Sequence, residues 1–348
     1  MRRLKKISLL LLLLLIAFIA YTLITTGFFR TITPKFNGTI LKKIALKGAE
    51  DIMISTIDSF ALISATDRNG LSDDSEQKGG LYLIDFTADN YTPIPLTESF
   101  TQPFAPHGIS FFKKDSTYHV MAVNHTPDGH TIEVFELKGK KCDHVKTLKH
   151  PSMISPNDLV MIDEGRFYVT NDHGYAKGIG KVMEEYMGLA VSNVVYFDGS
   201  DYKEVASGIA YANGINYDQD RNLLFVASPR HFLVKVYTLE SEGPLTFIED
   251  IPCGTGVDNI EFDAKGNLWI GCHPNLMRFN FYAKGWKQTA PSEVIKIDYR
   301  GKRDYNVEKV YVEKGDVMSA STVATPFGEL IFVGNVLDDE FLVLERVL

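Results

Sequence analysis

Cysteine is scarce in this sequence. Among 348 residues there are three, Cys142, Cys253 and Cys272, without metal-ligand spacing. At most one bridge could form, which excludes a disulfide scaffold and a cysteine-based zinc site. Basic charge is in the minority: 36 Lys and Arg stand against 44 Asp and Glu, for a net charge of −8. That balance excludes a nucleic-acid surface, which needs clustered Lys and Arg. It is compatible with a divalent cation or a neutral small molecule. No G-x-S-x-G elbow occurs, so nothing suggests a nucleophilic serine. Long amphipathic helices are also lacking. The best stretch, Ala176 to Met187 with Lys177, Lys181, Glu184 and Glu185, is short.

What is present begins with the N-terminus. Arg2, Arg3, Lys5 and Lys6 precede an uncharged apolar run from Ile7 to Ile24. At about 1.5 Å of rise per residue such a run is just long enough to cross a bilayer. The basic cluster belongs on the cytoplasmic side, which places everything after about Gly27 on the other. Residues 1–30 are therefore expected to be a cytoplasmic tip with a single-pass membrane anchor, and 31–348 one domain outside the cytoplasm. A cleaved signal peptide is the competing reading, with Leu9 to Ala20 as its apolar core. The only site for it, Thr25-Thr26-Gly27, is poor and is followed by bulky Phe28 and Phe29.

From about Phe36 the chain is rich in Val, Ile, Phe and Tyr, punctuated by Gly, Asp and Asn, as an all-β fold requires. One phrase recurs: an alternating strand, an acid-and-glycine or acid-and-amide turn, then an apolar strand. It runs from Leu159 to Thr170, from Ile215 to Ala227 and from Ile260 to Gly271. Looser copies run from Ile109 to Val123 and from Thr322 to Gly334. The copies are spaced roughly 45 to 60 residues apart, the spacing of propeller blades. About 300 residues at roughly 50 per blade predict a six-bladed β-propeller. A pair of β-sandwiches would not repeat one hairpin at that interval.

Each first strand has a polar head: Glu50-Asp51, Pro106-His107-Gly108, Pro156-Asn157-Asp158, Ala212-Asn213-Gly214 and Val257-Asp258-Asn259. In a propeller the first strands line the central axis, so these heads are expected to converge at one end. Carboxylates and amide carbonyls are hard oxygen donors, the chemistry of Ca²⁺. Asn and Asp also favour turns by bonding their own backbone, which explains any one head without a ligand. Five in register are harder to explain that way. His107 and His125 lie at the two ends of one such hairpin, where neighbouring imidazoles could activate water. His173 and His273 have less positional support, and Cys272 reads as a buried small hydrophobe.

Together these runs resemble the paraoxonase/arylesterase family, calcium-dependent lactonases on a six-bladed propeller. The matching residues also include Val123-Asn124-His125, Thr170-Asn171-Asp172-His173, Gly271-Cys272-His273-Pro274-Asn275 and Ser321-Thr322-Val323-Ala324, in order over about residues 45 to 348. The resemblance implies a catalytic Ca²⁺ held by Glu50, Asn157, Asn213, Asp258 and Asn259. It implies a second, structural Ca²⁺ held with the help of Asp51, Asp158 and the backbone carbonyl of Ile109. It assigns His107 and His125 to a water-activating dyad, and His173 to a place near it. The implied substrate is a small lactone or aryl ester. Two departures stand out. No cysteine lies near either end of the propeller, so closure must rest on strand pairing with Phe341 to Val347. The expected lid, Thr66 to Gly79, is strongly polar, which keeps a sugar-lactone hydrolase of the gluconolactonase type in view. A non-catalytic calcium-stabilised propeller that binds a ligand or protein is the alternative from another class, and it gives no reason for the His107/His125 pair.

Overall fold

Residues 2–68, 79–88, 90–126, 128–240 and 243–347 are described by a computed structural model of the chain. Most of the expected lid, residues 69–78, lies outside the described residues. The described residues form six antiparallel sheets, four of them runs of four consecutive strands and two completed by a strand from near the start of the domain, as a closed six-bladed propeller requires. The inner strands of blades 1 to 6 are Ala49–Ser55, Pro106–Lys114, Pro156–Met161, Ile215–Asp218, Gly256–Phe262 and Ser321–Phe327.

The recurring phrase is the hairpin from each inner strand to the next, and its acid holds the turn. Asp163 Oδ1 accepts from the backbone N–H of Gly165 and Arg166, and Asp218 Oδ1 from that of Arg221. Asp263 Oδ1 takes the amides of Lys265 and Asn267, while its Oδ2 accepts from Trp269 Nε1 at 3.0 Å. Short polar side chains that bond the backbone a few residues on are what fix such turns. Apolar side chains of adjacent blades then fill the space between sheets. Phe225 and Val236 of blade 4, for example, meet Ile260, Ile270 and Ile295 of blade 5.

The ring closes by strand pairing, as expected from the lack of cysteines. Gly38–Ala45, near the start of the domain, is the outer strand of blade 6 and pairs antiparallel with Glu340–Arg346, with Thr39 opposite Glu345 and Ile44 opposite Phe341. Lys35–Phe36 adds a short fifth strand to blade 5.

Among the described residues three α-helices accompany the strands: α1 (Arg2–Thr25), α2 (Ile179–Met187) and α3 (Leu276–Ala283). Helix α1 contains 23 residues, Arg3–Thr25, long and apolar enough to cross a membrane, and is exposed over nearly all of its apolar stretch. Helix α2 begins at Ile179, not at Ala176 as expected, because Gly178 precedes it with φ 86, outside helical space. Helix α3 had no counterpart in the sequence reading. Its cap is Asn275, whose side chain accepts from Arg278 N at 2.9 Å.

Candidate active site

The polar heads meet at one end of the propeller axis, and a local irregularity puts them there. In five blades the pairing of inner strand with its neighbour slips at the head: between Ala49 and Asp51, Pro106 and Ile109, Pro156 and Leu159, Val257 and Ile260, and Ser321 and Ala324. Such a bulge adds a residue to one strand and breaks the two-residue alternation. Two consecutive polar side chains are buried together as a result: Glu50 with Asp51, Asn157 with Asp158, and Asp258 with Asn259. The glycines beside the heads make room for neighbouring strands. A Cβ on Gly108 would lie 2.3 Å from Asp158 Oδ1, and one on Gly214 2.3 Å from the Asp258 carbonyl oxygen.

The heads are stitched to one another around the axis. Ile109 N donates to Asp51 Oδ2 (2.9 Å), Ile215 N to Asp158 Oδ2 (2.8 Å), and Asn216 Nδ2 to the Ile260 carbonyl (2.7 Å). Asn259 Nδ2 donates to Glu50 Oε1 (3.1 Å), and Thr322 Oγ1 to the Glu50 carbonyl (2.5 Å). Most of these bonds join neighbouring blades, the Asn259–Glu50 bond reaches from blade 5 to blade 1, and together they fix the donor atoms relative to each other.

Four buried oxygens in this cluster accept no hydrogen bond: Glu50 Oε2, which faces His107 Nδ1 at 3.4 Å, and Asn157 Oδ1, Asn213 Oδ1 and Asn259 Oδ1. Leaving a buried acceptor unpaired costs roughly 1–3 kcal/mol each. Their neighbour Asp258 accepts from His273 Nε2 at 2.8 Å, and the His273 ring lies flat on Phe279 with centroids 4.0 Å apart. Glu50, Asn157, Asn213, Asp258, His107 and His273 all line one cleft of about 240 Å³. Asp51 and Asp158 are differently placed. Each uses both carboxylate oxygens on backbone N–H groups, Asp51 on Ile52 and Ile109, Asp158 on Leu159 and Ile215.

Burial governs the electrostatics of the cluster. Burial, reinforced by the neighbouring Glu50 charge, pushes the Asp51 carboxyl well above its usual range. Burial and Asp51 do the same to Asp158. Burial also raises Glu50 and Asp258, opposed by Arg68 and the Asn259 amide for the first and by His273 for the second. Glu261, which the sequence reading did not single out, is raised by burial and by Asp51. Among the described residues no three His, Cys, Asp or Glu side chains are grouped to hold a metal by themselves. The oxygens that accept no hydrogen bond belong to one acid and three amides, a mixed hard-oxygen set that fits Ca²⁺.

His107 and His125 are brought together. Their rings stack with centroids 5.0 Å apart and planes at 21°. His107 Nδ1 lies 3.1 Å from the Asn157 carbonyl and His125 Nε2 lies 2.7 Å from that of Pro156. A carbonyl only accepts, so those nitrogens carry the protons, leaving His107 Nε2 as a free lone pair. Burial pushes His107 down to about 4, with Arg68 adding to it. Burial and His107 push His125 down to about 3. His173 lies elsewhere on the cleft wall. Its Nδ1 bonds Glu184 Oε2 of α2 at 3.0 Å and its ring meets Tyr211 edge-on, and among the described residues it makes no ring contact with the dyad. Arg68, Tyr211 and His273 are cleft residues that the sequence reading left out or ranked low. Only His273, in its His-Pro-Asn run before a helix cap, had a local signal.

A six-bladed propeller with an axial set of buried oxygens beside a histidine pair defines the class: a propeller with a polar cleft at one end of its axis. A family model for arylesterases matches residues 30–342. Human serum paraoxonase/arylesterase 1 is 34% identical over 266 residues, covering 74% of each chain. The rat protein of the same name is 33% identical over 319 residues, covering 88% of this chain and 89% of its own. The chain belongs to the paraoxonase/arylesterase family. Among solved structures, regucalcin from Agrobacterium tumefaciens, described as a calcium-binding protein, superposes with a TM-score of 0.51 at 14% identity over 90% of this chain and 96% of its own, a likeness of fold.

Proposed function

We propose that the protein is a Ca²⁺-dependent hydrolase of aryl esters and lactones. The observation that carries this reading is the convergence of the unpaired buried oxygens of Glu50, Asn157 and Asn213 on the cleft that holds His107, with Asn259 bonded to Glu50 beside it. Glu50, Asn157, Asn213, Asp258 and Asn259 would hold the catalytic ion, and Asp51, Asp158 and the Ile109 carbonyl a structural one. When bound at the first site, Ca²⁺ supplies Lewis acidity toward a carbonyl oxygen.

The chain's own residues do the rest. His107, kept neutral by burial and by the nearby Arg68 charge and oriented by its Nδ1–H on the Asn157 carbonyl, offers Nε2 to take a proton from water. His125, stacked behind it and pinned to the Pro156 carbonyl, holds the ring in place and backs it with a second neutral imidazole. His273 fixes the Asp258 carboxylate, and His173 anchors α2 through Glu184. Leu276, Met277 and Phe279 give the cleft an apolar side for the acyl or aryl group. Helix α1 would anchor this domain to a membrane, with the domain outside the cytoplasm.

The test is hydrolysis of phenyl acetate and of a panel of lactones at neutral pH, with and without chelator. Turnover that chelator abolishes and added Ca²⁺ restores is the expected result. Turnover that ignores the chelator contradicts the reading, as does its absence with calcium bound.

A further inference from the structure

The end of the apolar helix is built into the cleft. Thr26 follows the last residue of α1 and lines the cleft, together with Glu185 and Tyr186 of α2, Pro229, Arg230 and Leu276. We propose that the last turn of α1 is a fixed wall of the substrate cleft, and that Arg230 is the residue that positions it. This deepens the ester-hydrolase reading, and only its kinetic arm rests on that reading.

Arg230 is 7% exposed, and its guanidinium serves two helix ends at once. Its Nε donates to the Glu185 carbonyl (2.8 Å) and Nη2 to the Tyr186 carbonyl (2.9 Å), in the last turn of α2. Its Nη1 donates to the Thr25 carbonyl (3.1 Å), at the end of α1. The last carbonyls of a helix have no partner within it and carry the negative end of its dipole, so a buried cation with a planar fork of donors suits both helices. Gly188 ends α2 with φ 67, and a Cβ there would sit 3.4 Å from the Arg230 guanidinium carbon.

Other contacts hold the same turn without reaching the reacting groups. Thr22 Oγ1 donates to the Tyr186 carbonyl (3.1 Å) and Tyr21 Oη to that of Met187 (3.0 Å). Leu276 N, at the start of α3, donates to the Thr26 carbonyl (2.9 Å). Beyond the turn, Arg30 pairs with Glu293, whose side chain is fully buried. The wall is thus a junction of three helices: Tyr21 and Thr22 of α1 bond α2 directly, and Arg230, from outside both helices, bonds the ends of the two together.

The test uses the full chain in detergent, as wild type, Arg230→Leu and Arg230→Lys. Hydrogen exchange at the Leu276 amide reads the junction directly, without any substrate. It is expected to speed up at least tenfold in Arg230→Leu and less in Arg230→Lys, which keeps the charge but not the fork. The preference between phenyl acetate and 2-naphthyl acetate, as a ratio of kcat/KM, is expected to shift at least fivefold in Arg230→Leu and to return part way in Arg230→Lys. A purely structural role would lower both rates together and leave the ratio alone. If Leu276 exchange and the ester ratio both stay at wild-type values, the clasp is refuted. Should Arg230→Leu fail to fold, Arg230→Lys carries both readouts. Absence of any esterase activity in the wild type would count against the hydrolase reading and leave the exchange result to decide the wall.

Discussion

Two sets of polar side chains share the axis of this propeller, and they are held in opposite ways. Asp51 and Asp158 spend every carboxylate oxygen on backbone N–H groups, one on their own strand and one on the next blade. Glu50, Asn157, Asn213 and Asn259 each keep one buried oxygen that accepts no hydrogen bond. The first set is part of how the blades are joined, whatever else it binds. The second set leaves oxygens unpaired at the cleft or beside it, which is the observation behind the proposed ion site. Residues one position apart on the same strands thus differ in whether the fold satisfies them.

That contrast can be broken by substitution. The largest effect is expected for Glu50→Gln or Asn259→Ala measured as calcium-supported hydrolysis of phenyl acetate, a loss of roughly 10²- to 10³-fold. His107→Gln follows, with kcat lower by about 10²-fold while calcium binding, read by calorimetry, is unchanged. Loss of calcium binding in that variant would mean that His107 holds the site together instead. Asp158→Ala strands two buried N–H groups and should cost about 2–4 kcal/mol of stability even in chelator. Asn213→Ala in chelator should stay within about 1 kcal/mol of wild type, since its Oδ1 has no bond to lose. Equal melting temperatures for these two variants would erase the distinction between the sets. The smallest effect is expected at Cys272, whose thiol is fully buried and pushed well above its ordinary value by burial and by Glu293. Cys272→Ala should keep hydrolysis within about twofold, because the thiol reaches nothing in the cleft.

Much of this was legible because it has a period. The turn Asp, the apolar hairpin behind it and the polar head before it recur together in blades 3, 4 and 5, so Asn157, Asn213 and Asp258-Asn259 could be placed together although they lie far apart in the chain. The closing strand was legible from an absence: with no cysteine near the ends, Phe341 had to pair with something, and it pairs with Ile44. Helix α3 was missed because eight residues with a capping Asn look like any turn when the neighbours are aromatic. The partners of Arg230 and Arg30 were invisible for a different reason. Thr25 and Arg230 are 205 positions apart, and nothing in local spacing or periodicity marks a contact made only by tertiary packing. His173, read as standing near the dyad, lines the same cleft as His107, and its carboxylate partner Glu184 on α2 was another contact that local spacing did not mark.

The most direct test is a calcium titration of chelator-stripped protein at neutral pH, following binding by calorimetry and phenyl acetate hydrolysis in the same samples. The expected result is no hydrolysis before calcium, and a rise that follows a binding event missing in Asn213→Ala. Full hydrolysis by the stripped protein, or hydrolysis that rises with no calcium bound at the site, would contradict the assignment of the bare oxygens to a catalytic ion.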